Sequence, residues 1–138
     1  MSLFVIGDLH LALSDKSKPM DIFKGWENYM QLLEENWEKN ISPEDTIVLA
    51  GDISWAMNIK NAYDDFYWIN NMPGRKIILK GNHDYWWGSR KKMEDTFSQW
   101  GFDSLFILHN NHFQYEKFGI CGTRAVSYTH LTLPTNSL

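Results

Sequence analysis

Three short apolar runs, each with a glycine at its end, most strongly constrain what this chain can fold into. The runs are "LFVIG" at 3–7, "TIVLA" at 46–50 and "KIILK" at 76–80. Continuous apolar runs of this length, bounded by turn residues, are typical of strands that are buried on both faces. We therefore predict three buried β-strands.

The segments between these runs predict helices. Residues 21–40, 59–72 and 89–100 carry apolar side chains at helical spacing with polar residues between them, and Ser89 is a candidate N-cap. Further short strands are predicted in "SLFIL", "HFQYEK" and "FGICGT". Alternation of strands and helices predicts an α/β fold with parallel strands and right-handed crossovers.

A polar cluster follows each of the three strands. The clusters are Gly7-Asp8-Leu9-His10, Gly51-Asp52 and Gly81-Asn82-His83-Asp84. Open α/β sheets bind ligands just beyond the carboxyl ends of their strands. We therefore expect the three clusters to lie at one edge of the sheet.

The residue types in these clusters indicate divalent metal binding. Asp8 and His10 are two residues apart and can reach one ion, Asp52 can bridge two ions, and Asn82 offers a carbonyl oxygen to the second. Nitrogen and oxygen ligands of this mixture suit Mn, Fe, Zn or Co. Two ions about 3.5–4 Å apart clamp a phosphate and activate a water molecule for attack.

The remaining two residues of the third cluster suggest acid catalysis. His83 can protonate the leaving group, and Asp84 can hold the imidazole in the required tautomer. The alternative is that each cluster is a turn or a helix cap, because Asp after Gly is common turn chemistry. The occurrence of all three clusters at strand ends favours the metal site.

These residues resemble the calcineurin-like metallophosphoesterase family, whose pattern begins with Asp-x-His, Gly-Asp and Gly-Asn-His-Asp or Glu. The chain matches these blocks as "GDLH", "GD" and "GNHD", over residues 3 to about 124. The resemblance implies a four-layer α/β/β/α sandwich with two mixed sheets. It also implies that Asp8 and His10 bind the first metal, Asp52 bridges, Asn82 binds the second, and His83 is catalytic with Asp84 as its partner.

The resemblance further implies a binuclear hydrolase of phosphomonoesters or phosphodiesters that uses Mn²⁺, Fe²⁺/³⁺, Zn²⁺ or similar ions. The context "LKGNHDYWW" resembles bacterial members in particular. The alternative is a binding scaffold that keeps the fold without catalysis, since one fold hosts many functions. A scaffold has no need of the metal-binding residue types, so we favour the enzyme.

The family pattern has two further blocks, which supply three more metal-binding histidines, and neither is found. We interpret His109 and His112, in "LHNNHF", as parts of a polar turn between strands. Residues 126–138, "VSYTHLTLPTNSL", resemble a translated sequencing adapter, with an edge strand as the alternative. We therefore expect residues 1–125 to be the N-terminal part of a metallophosphoesterase domain whose C-terminal part is missing. This part should be weakly active or inactive alone, and His130 should belong to a non-native tail.

Charge and cysteine content bear on partners and location. The net charge of −4 gives no support for a nucleic-acid surface, which usually shows a basic patch. Cys121 is the only cysteine, which favours a reducing compartment and a small buried side chain at that position. The chain starts without a secretory signal pattern and its apolar runs are too short to cross a membrane, so we predict a cytoplasmic protein.

Four aromatic residues flank the polar clusters: Trp55, Tyr85, Trp86 and Trp87. Aromatic side chains beside a cleft either stack on a ring of the substrate or pack beneath the loops. The sequence leaves both interpretations open.

Overall fold

A four-stranded parallel sheet organises the computed structural model, which describes residues 1–14 and 20–124. The strands lie in the order β1-β2-β3-β4, and each is parallel to the next. Their bounds are Leu3–Ile6 for β1, Thr46–Leu49 for β2, Arg75–Ile78 for β3 and Leu105–Ile107 for β4. The predicted α/β class with parallel strands is confirmed.

Three helices cover one face of this sheet. Right-handed crossovers between sequentially ordered parallel strands all fall on the same side. Trp37, Phe66 and Phe97 of the helices accordingly pack in one core with Leu49 and Ile78 of the sheet. The helices are α1 at Tyr29–Asn40, α2 at Tyr63–Asn71 and α3 at Arg90–Gln99. Within the described ranges, none is long and apolar enough to cross a membrane.

An antiparallel hairpin covers part of the opposite face. Its strands are β5 at Asn111–Tyr115 and β6 at Phe118–Gly122. Phe113 and Ile120 of the hairpin pack against Val48, Ile77 and Leu108 in a second, smaller core. Helices, parallel sheet and hairpin are three of the four predicted layers.

The first predicted helix is shorter than expected. It begins at Tyr29, not at residue 21, and a short 3-10 turn at Met20–Ile22 precedes it. Gly25 and Asn28 have φ angles of 92° and 57°, which interrupt a right-handed helix. The apolar residues from Ile22 onward, which the sequence assigned to one helix, therefore belong to two separate elements, the 3-10 turn and α1, and to the segment between them.

Two predictions of burial are also wrong. β1 is an edge strand, and Leu3 and Val5 on it are 41% and 67% exposed because the hairpin packs over β2 and β3 instead. Cys121 is exposed on β6. Successive strand residues point to opposite faces, so the hairpin turns Ile120 toward the sheet and Cys121 away from it.

Lys76 of β3 is fully buried at the end of the sheet opposite to the polar clusters. Its ammonium group donates to the carbonyls of Met72 and Gly74, to that of Asn70 at 3.2 Å and to the Ser104 hydroxyl at 2.9 Å. Lys76 thereby binds the carbonyl-rich C-terminus of α2, which carries partial negative charge. Burial has the largest effect and lowers the pKa of Lys76 to about 8, although the negative charge of Asp103 opposes it.

We predict that Lys76 makes the stability of the protein depend on pH above neutrality. The unfolded chain keeps its proton on Lys76 up to the ordinary pKa of 10.5, whereas the folded chain loses it from about pH 8. The free energy of unfolding must therefore rise with pH between these two values. Urea unfolding at pH 7 to 10.5 should show this rise in the wild type and in an exposed-site control, Lys91→Met, but not in Lys76→Met. Parallel profiles for all three proteins would contradict the prediction.

Candidate metal centre

The polar clusters that follow β1, β2 and β3 meet at the carboxyl edge of the parallel sheet. Asp8, His10 and Asp52 each offer one ligand atom, and these atoms all lie within 4.8 Å of one another. The amide of Asn82 is 3.3 Å from both carboxylate oxygens of Asp52 when its nitrogen faces them. The structure brings together the four residues that the sequence assigned to metal ions; their role as ligands stays a prediction.

Backbone hydrogen bonds align the loop after β1 with the loop after β2. The amide of His10 donates to the carbonyl of Asp52 at 3.0 Å, and that of Leu11 donates to the carbonyl of Ile53 at 2.8 Å. Leu11 and Ser54 form an isolated parallel bridge. The pairing of the two strands thus continues into the loops and sets the spacing of the side chains on them.

The three clustered residues share an unusual backbone conformation. The φ angles of Asp8, His10 and Asp52 are 57°, 47° and 50°, in the left-handed region. That region costs L-residues roughly 1–2 kcal/mol each, because Cβ approaches the carbonyl oxygen. Strain of this kind persists where the surrounding structure enforces it, and it is concentrated at functional sites.

Asp84 joins the loop after β2 to the loop after β3. It is 1% exposed, and the indole N–H of Trp86 donates to it at 3.0 Å. Three backbone N–H groups also donate to its carboxylate at 2.6–2.8 Å, those of Asp52, Ile53 and Gly81. Burial has the largest effect and raises the pKa of Asp84, although these donors oppose it.

The carboxylate beside the His83 ring is that of Asp52. Nδ1 of His83 lies 2.8 Å from Oδ2 of Asp52, and the His83 backbone N–H donates to Oδ1 at 2.9 Å. The structure therefore gives Asp84 partners other than the predicted imidazole. The assignment failed because sequence adjacency does not reveal that the Asp84 side chain points into the protein, toward the backbone of another loop.

The electrostatics of Asp52 suit a metal ligand. Burial is the largest effect and raises its pKa, but the hydrogen bonds from the His83 side chain and backbone and the nearby rings of His83 and His10 together lower it by more. The pKa of Asp52 is therefore below its ordinary value. Its carboxylate is ionised at neutral pH, as coordination requires.

Gly81 lets the loop after β3 approach Asp52 closely. A Cβ atom at this position would lie 2.2 Å from both the backbone nitrogen and Oδ1 of Asp52. No side chain fits at that distance. The glycine that the sequence shows at the end of the third strand is therefore needed for close approach of two loops.

Aromatic rings hold the imidazole of His10. Trp55 stacks on it with centroids 4.9 Å apart at 22°, and Trp26 contacts it edge-on at 6.2 Å. The Tyr29 hydroxyl donates to the His10 carbonyl at 3.3 Å. Sequence analysis missed Trp26 and Tyr29, because it placed both on one continuous helix.

The aromatic residues after His83 have different environments. Trp86 is buried against Phe66 at 4.8 Å, and Trp87 packs on Trp86 at 5.3 Å. Tyr85 is 54% exposed and meets the His83 ring edge-on at 6.3 Å. Trp86 and Trp87 are thus packing residues, and Tyr85 is the ring that faces solvent beside the site.

His109 and His112 do not belong to this cluster. His109 lies in the turn after β4, with Nδ1 3.2 Å from the Thr123 carbonyl oxygen, whereas His112 is exposed within β5 and not in a turn. In residues 1–14 and 20–124, Asp8, His10 and Asp52 form the only group of three or more His, Cys, Asp or Glu residues whose ligand atoms lie close enough to hold a metal ion. The predicted tail, 126–138, and His130 within it lie outside the described residues.

Two carboxylates and an imidazole make a donor set that fits Mn, Fe or Zn. The side chain of Asp8 is 72% exposed and that of Asp52 is 10% exposed. The group is therefore anchored in the protein on one side and open to solvent on the other. Catalytic metal sites keep such an open position for water or substrate.

Comparison with known proteins places these residues in a family context. The sequence profile of the calcineurin-like phosphoesterases matches residues 1–133. The Gene 66 protein of Mycobacterium phage D29 is 30% identical over 83 residues, which are 60% of this chain and 40% of the phage protein. The Gene 66 protein of Mycobacterium phage L5 is 30% identical over 77 residues, or 56% and 37% of the two chains. The matched part of the chain is thus well under half the length of these relatives.

A solved structure is also similar. It is a protein of unknown function from Aquifex aeolicus, 27% identical, with a TM-score of 0.47 over 86% of this chain and 58% of that one.

We predict that Gly81→Ala disrupts the site whereas Gly7→Ala does not. The new Cβ of Gly81→Ala collides with Asp52 at 2.2 Å, but a Cβ at Gly7 meets only Ala50, at an ordinary 3.7 Å. Gly81→Ala should therefore lower the melting temperature and weaken Mn²⁺ binding in a calorimetric titration. Equal effects of the two substitutions would show that close approach at Gly81 is unimportant.

We also predict that the Asp8→Gly variant has a higher free energy of unfolding than the Asp8→Ala variant. With φ at 57°, Asp8→Gly avoids the Cβ strain that Asp8→Ala retains, a difference of about 1 kcal/mol in the free energy of unfolding. At exposed Glu34, within α1, the order should reverse, because glycine costs about 1 kcal/mol relative to alanine in a helix. Urea unfolding of the four variants measures both differences. The same order at both positions would contradict a strained Asp8.

Proposed function

This chain belongs to the calcineurin-like phosphoesterase family, and we propose on that basis that it forms the metal-binding part of a hydrolase of phosphomonoesters or phosphodiesters. One observation carries the proposal: ligand atoms of Asp8, His10 and Asp52 lie within 4.8 Å of one another at the open carboxyl edge of the sheet. Family membership supports a metal-dependent phosphoesterase. The binuclear mechanism, the choice among Mn²⁺, Fe²⁺/³⁺ and Zn²⁺, and the cytoplasmic location are parts of the proposal.

Each residue of the cluster has a proposed role. Asp8 and His10 would hold one divalent ion, Asp52 would be shared with a second, and the carbonyl oxygen of Asn82 would be the ligand for that second ion. The ions supply charge for the phosphate oxygens and a water molecule of lowered pKa. The exposed side of Asp8 leaves room for the phosphate ester to approach.

His83 is the proposed general acid. Its Nδ1 faces the carboxylate of Asp52, which fixes the ring and makes Nε2 the nitrogen that delivers a proton to the leaving oxygen. Asp84 acts indirectly, since it holds the backbone on both sides of the site. We propose for Asp84 a role in positioning these loops, in place of a direct contact with the reacting atoms.

The chain supplies part of a site in this proposal. It covers 40% of the length of the phage D29 relative. The further metal ligands of the whole protein, in this proposal, come from residues outside this chain. The non-catalytic scaffold is the competing function. The left-handed φ angles of Asp8, His10 and Asp52 favour the enzyme, because backbone strain of this kind is concentrated at functional sites.

We predict Mn²⁺-dependent hydrolysis of p-nitrophenyl phosphate or bis(p-nitrophenyl) phosphate, weak in this chain alone and stronger in a longer protein that contains it, after the protein is stripped with chelator and reloaded. Asp52→Asn should remove most of the activity and of the Mn²⁺ binding, because it removes the shared carboxylate charge. His83→Ala should reduce kcat by about 10²–10⁴, as expected for a general acid. The reduction should be larger for phenyl phosphate, whose leaving group needs the proton more. His112→Ala, exposed on β5, is the matched control.

The outcomes separate the competing functions. Full activity in Asp52→Asn would exclude the bridging role. The wild-type chain could bind Mn²⁺ but hydrolyse neither ester, while Asp52→Asn binds no Mn²⁺. That result supports the metal site and assigns turnover to a longer protein. A chain that neither binds Mn²⁺ nor hydrolyses either ester favours the scaffold.

A further inference from the structure

Asp65 is a buried carboxylate to which the proposed mechanism gives no role. It lies in the first turn of α2 and is 1% exposed. Its neighbours on the same helix face, Phe66 and Ile69, are core residues. A buried carboxylate costs free energy unless it is paired or hydrogen-bonded, so an acid at a core position of a helix needs a specific explanation.

The two oxygens of Asp65 bind two different loops. Oδ1 accepts from the backbone N–H of Leu13 at 2.8 Å, in the loop after β1. Oδ2 accepts from the Ser54 hydroxyl at 2.5 Å, in the loop after β2. The Ser54 hydroxyl in turn accepts from the backbone N–H of Ala56 at 3.1 Å. One side chain on a rigid helix thus anchors both loops.

These anchors lie close to the clustered residues along the chain. Leu13 is three residues beyond His10, and Ser54 is two residues beyond Asp52. Between the anchors and the cluster, the loops are hydrogen-bonded to each other through the backbone of Leu11. A shift of either anchor would be transmitted along this short paired segment to His10 and Asp52.

The location of Asp65 also explains how its charge is tolerated. Asp65 is in the first turn of α2, where the partial positive charge of the helix N-terminus stabilises an anion. Hydrogen bonds to a charged acceptor are roughly twice as strong as those between neutral groups. Because of both effects, a carboxylate at this position binds the two loops more strongly than a neutral side chain would.

We propose that Asp65 is a positioning residue that holds the loop of Asp8 and His10 against the loop of Asp52 at the spacing a metal ion requires. The consequence for metal affinity rests on the proposed function. The positioning itself does not, because it is a property of the protein without metal.

The test uses four variants of the full chain. Asp65→Ala removes the hydrogen bonds from Leu13 and Ser54, Ser54→Ala removes only the one from Ser54, and Asp65→Asn keeps an acceptor oxygen and removes the charge. Asp95→Asn, exposed on α3, is the control for the loss of one negative charge. If Asp65→Ala does not fold, Asp65→Asn and Ser54→Ala decide the outcome.

The first measurement is NMR of the His10 ring in metal-free protein, assigned with a His10→Asn variant. Stacking of Trp55 at 4.9 Å should displace the His10 ring protons upfield by ring current. The displacement should be lost in Asp65→Ala, reduced in Asp65→Asn and Ser54→Ala, and unchanged in Asp95→Asn. Unchanged His10 resonances in the folded Asp65 and Ser54 variants would overturn the proposal, even if their melting temperatures fall. So would a wild-type ring that shows no upfield displacement.

The second measurement is calorimetric titration of the same proteins with Mn²⁺. Loss of residues that orient metal ligands typically weakens binding 10–100-fold, and we expect a weakening of about that size in Asp65→Ala and less in Ser54→Ala. Wild-type affinity in Asp65→Ala would overturn the claim that the spacing matters for metal. If the wild type itself binds no Mn²⁺, the proposed function fails, and the NMR result still decides whether Asp65 positions the loops.

Discussion

The buried carboxylate of Asp84 is the interaction on which the site depends. Parallel strands deliver three loops to one edge of the sheet, but loops that leave a sheet lose the ladder partners of their N–H groups, and buried donors must be satisfied. Asp84 accepts from backbone donors of two of these loops at once, at 2.6–2.8 Å. It therefore fixes Asp52 relative to Asn82 and His83, and Gly81 lets the two loops approach closely enough for this contact.

Carboxylates at this edge of the sheet divide into two kinds by the role of their oxygens. Asp84 and Asp65 are each 1% exposed, and each joins two segments through hydrogen bonds from backbone or hydroxyl donors. Asp8 is largely exposed and Asp52 presents its ionised carboxylate to the cluster. Asp84 and Asp65 thus hold the loops, whereas the carboxylates of Asp8 and Asp52 face the cluster and are available to ligands. Asp65 could have been recognised from the sequence as an acid on the apolar face of a predicted helix, at helical spacing from Ala62 and Ile69.

The backbone strain at Asp8, His10 and Asp52 lowers stability but places their side chains close together. Asp8, His10 and Asp52 all adopt left-handed φ angles that glycine adopts without strain, yet glycine has no side chain to offer a metal. Such strain persists only where surrounding contacts enforce it, here the backbone pairing of the two loops and the stacking of Trp55 on His10. Natural proteins commonly give up stability at sites where function requires a particular geometry.

The sequence by itself determined the α/β class, the approximate positions of the six strands, the second and third helices and the Ser89 cap, because apolar periodicity and capping are local patterns. It also selected Asp8, His10, Asp52 and Asn82, since residues that follow neighbouring parallel strands must meet at one edge. Only the tertiary structure decided that Asp84 binds loop backbone, that Trp26 contacts His10 and that Asp65 joins two loops. The hydrogen bonds of Asp84 and Asp65 to these loops join residues up to 52 positions apart, and no local pattern encodes which distant groups a buried side chain will meet.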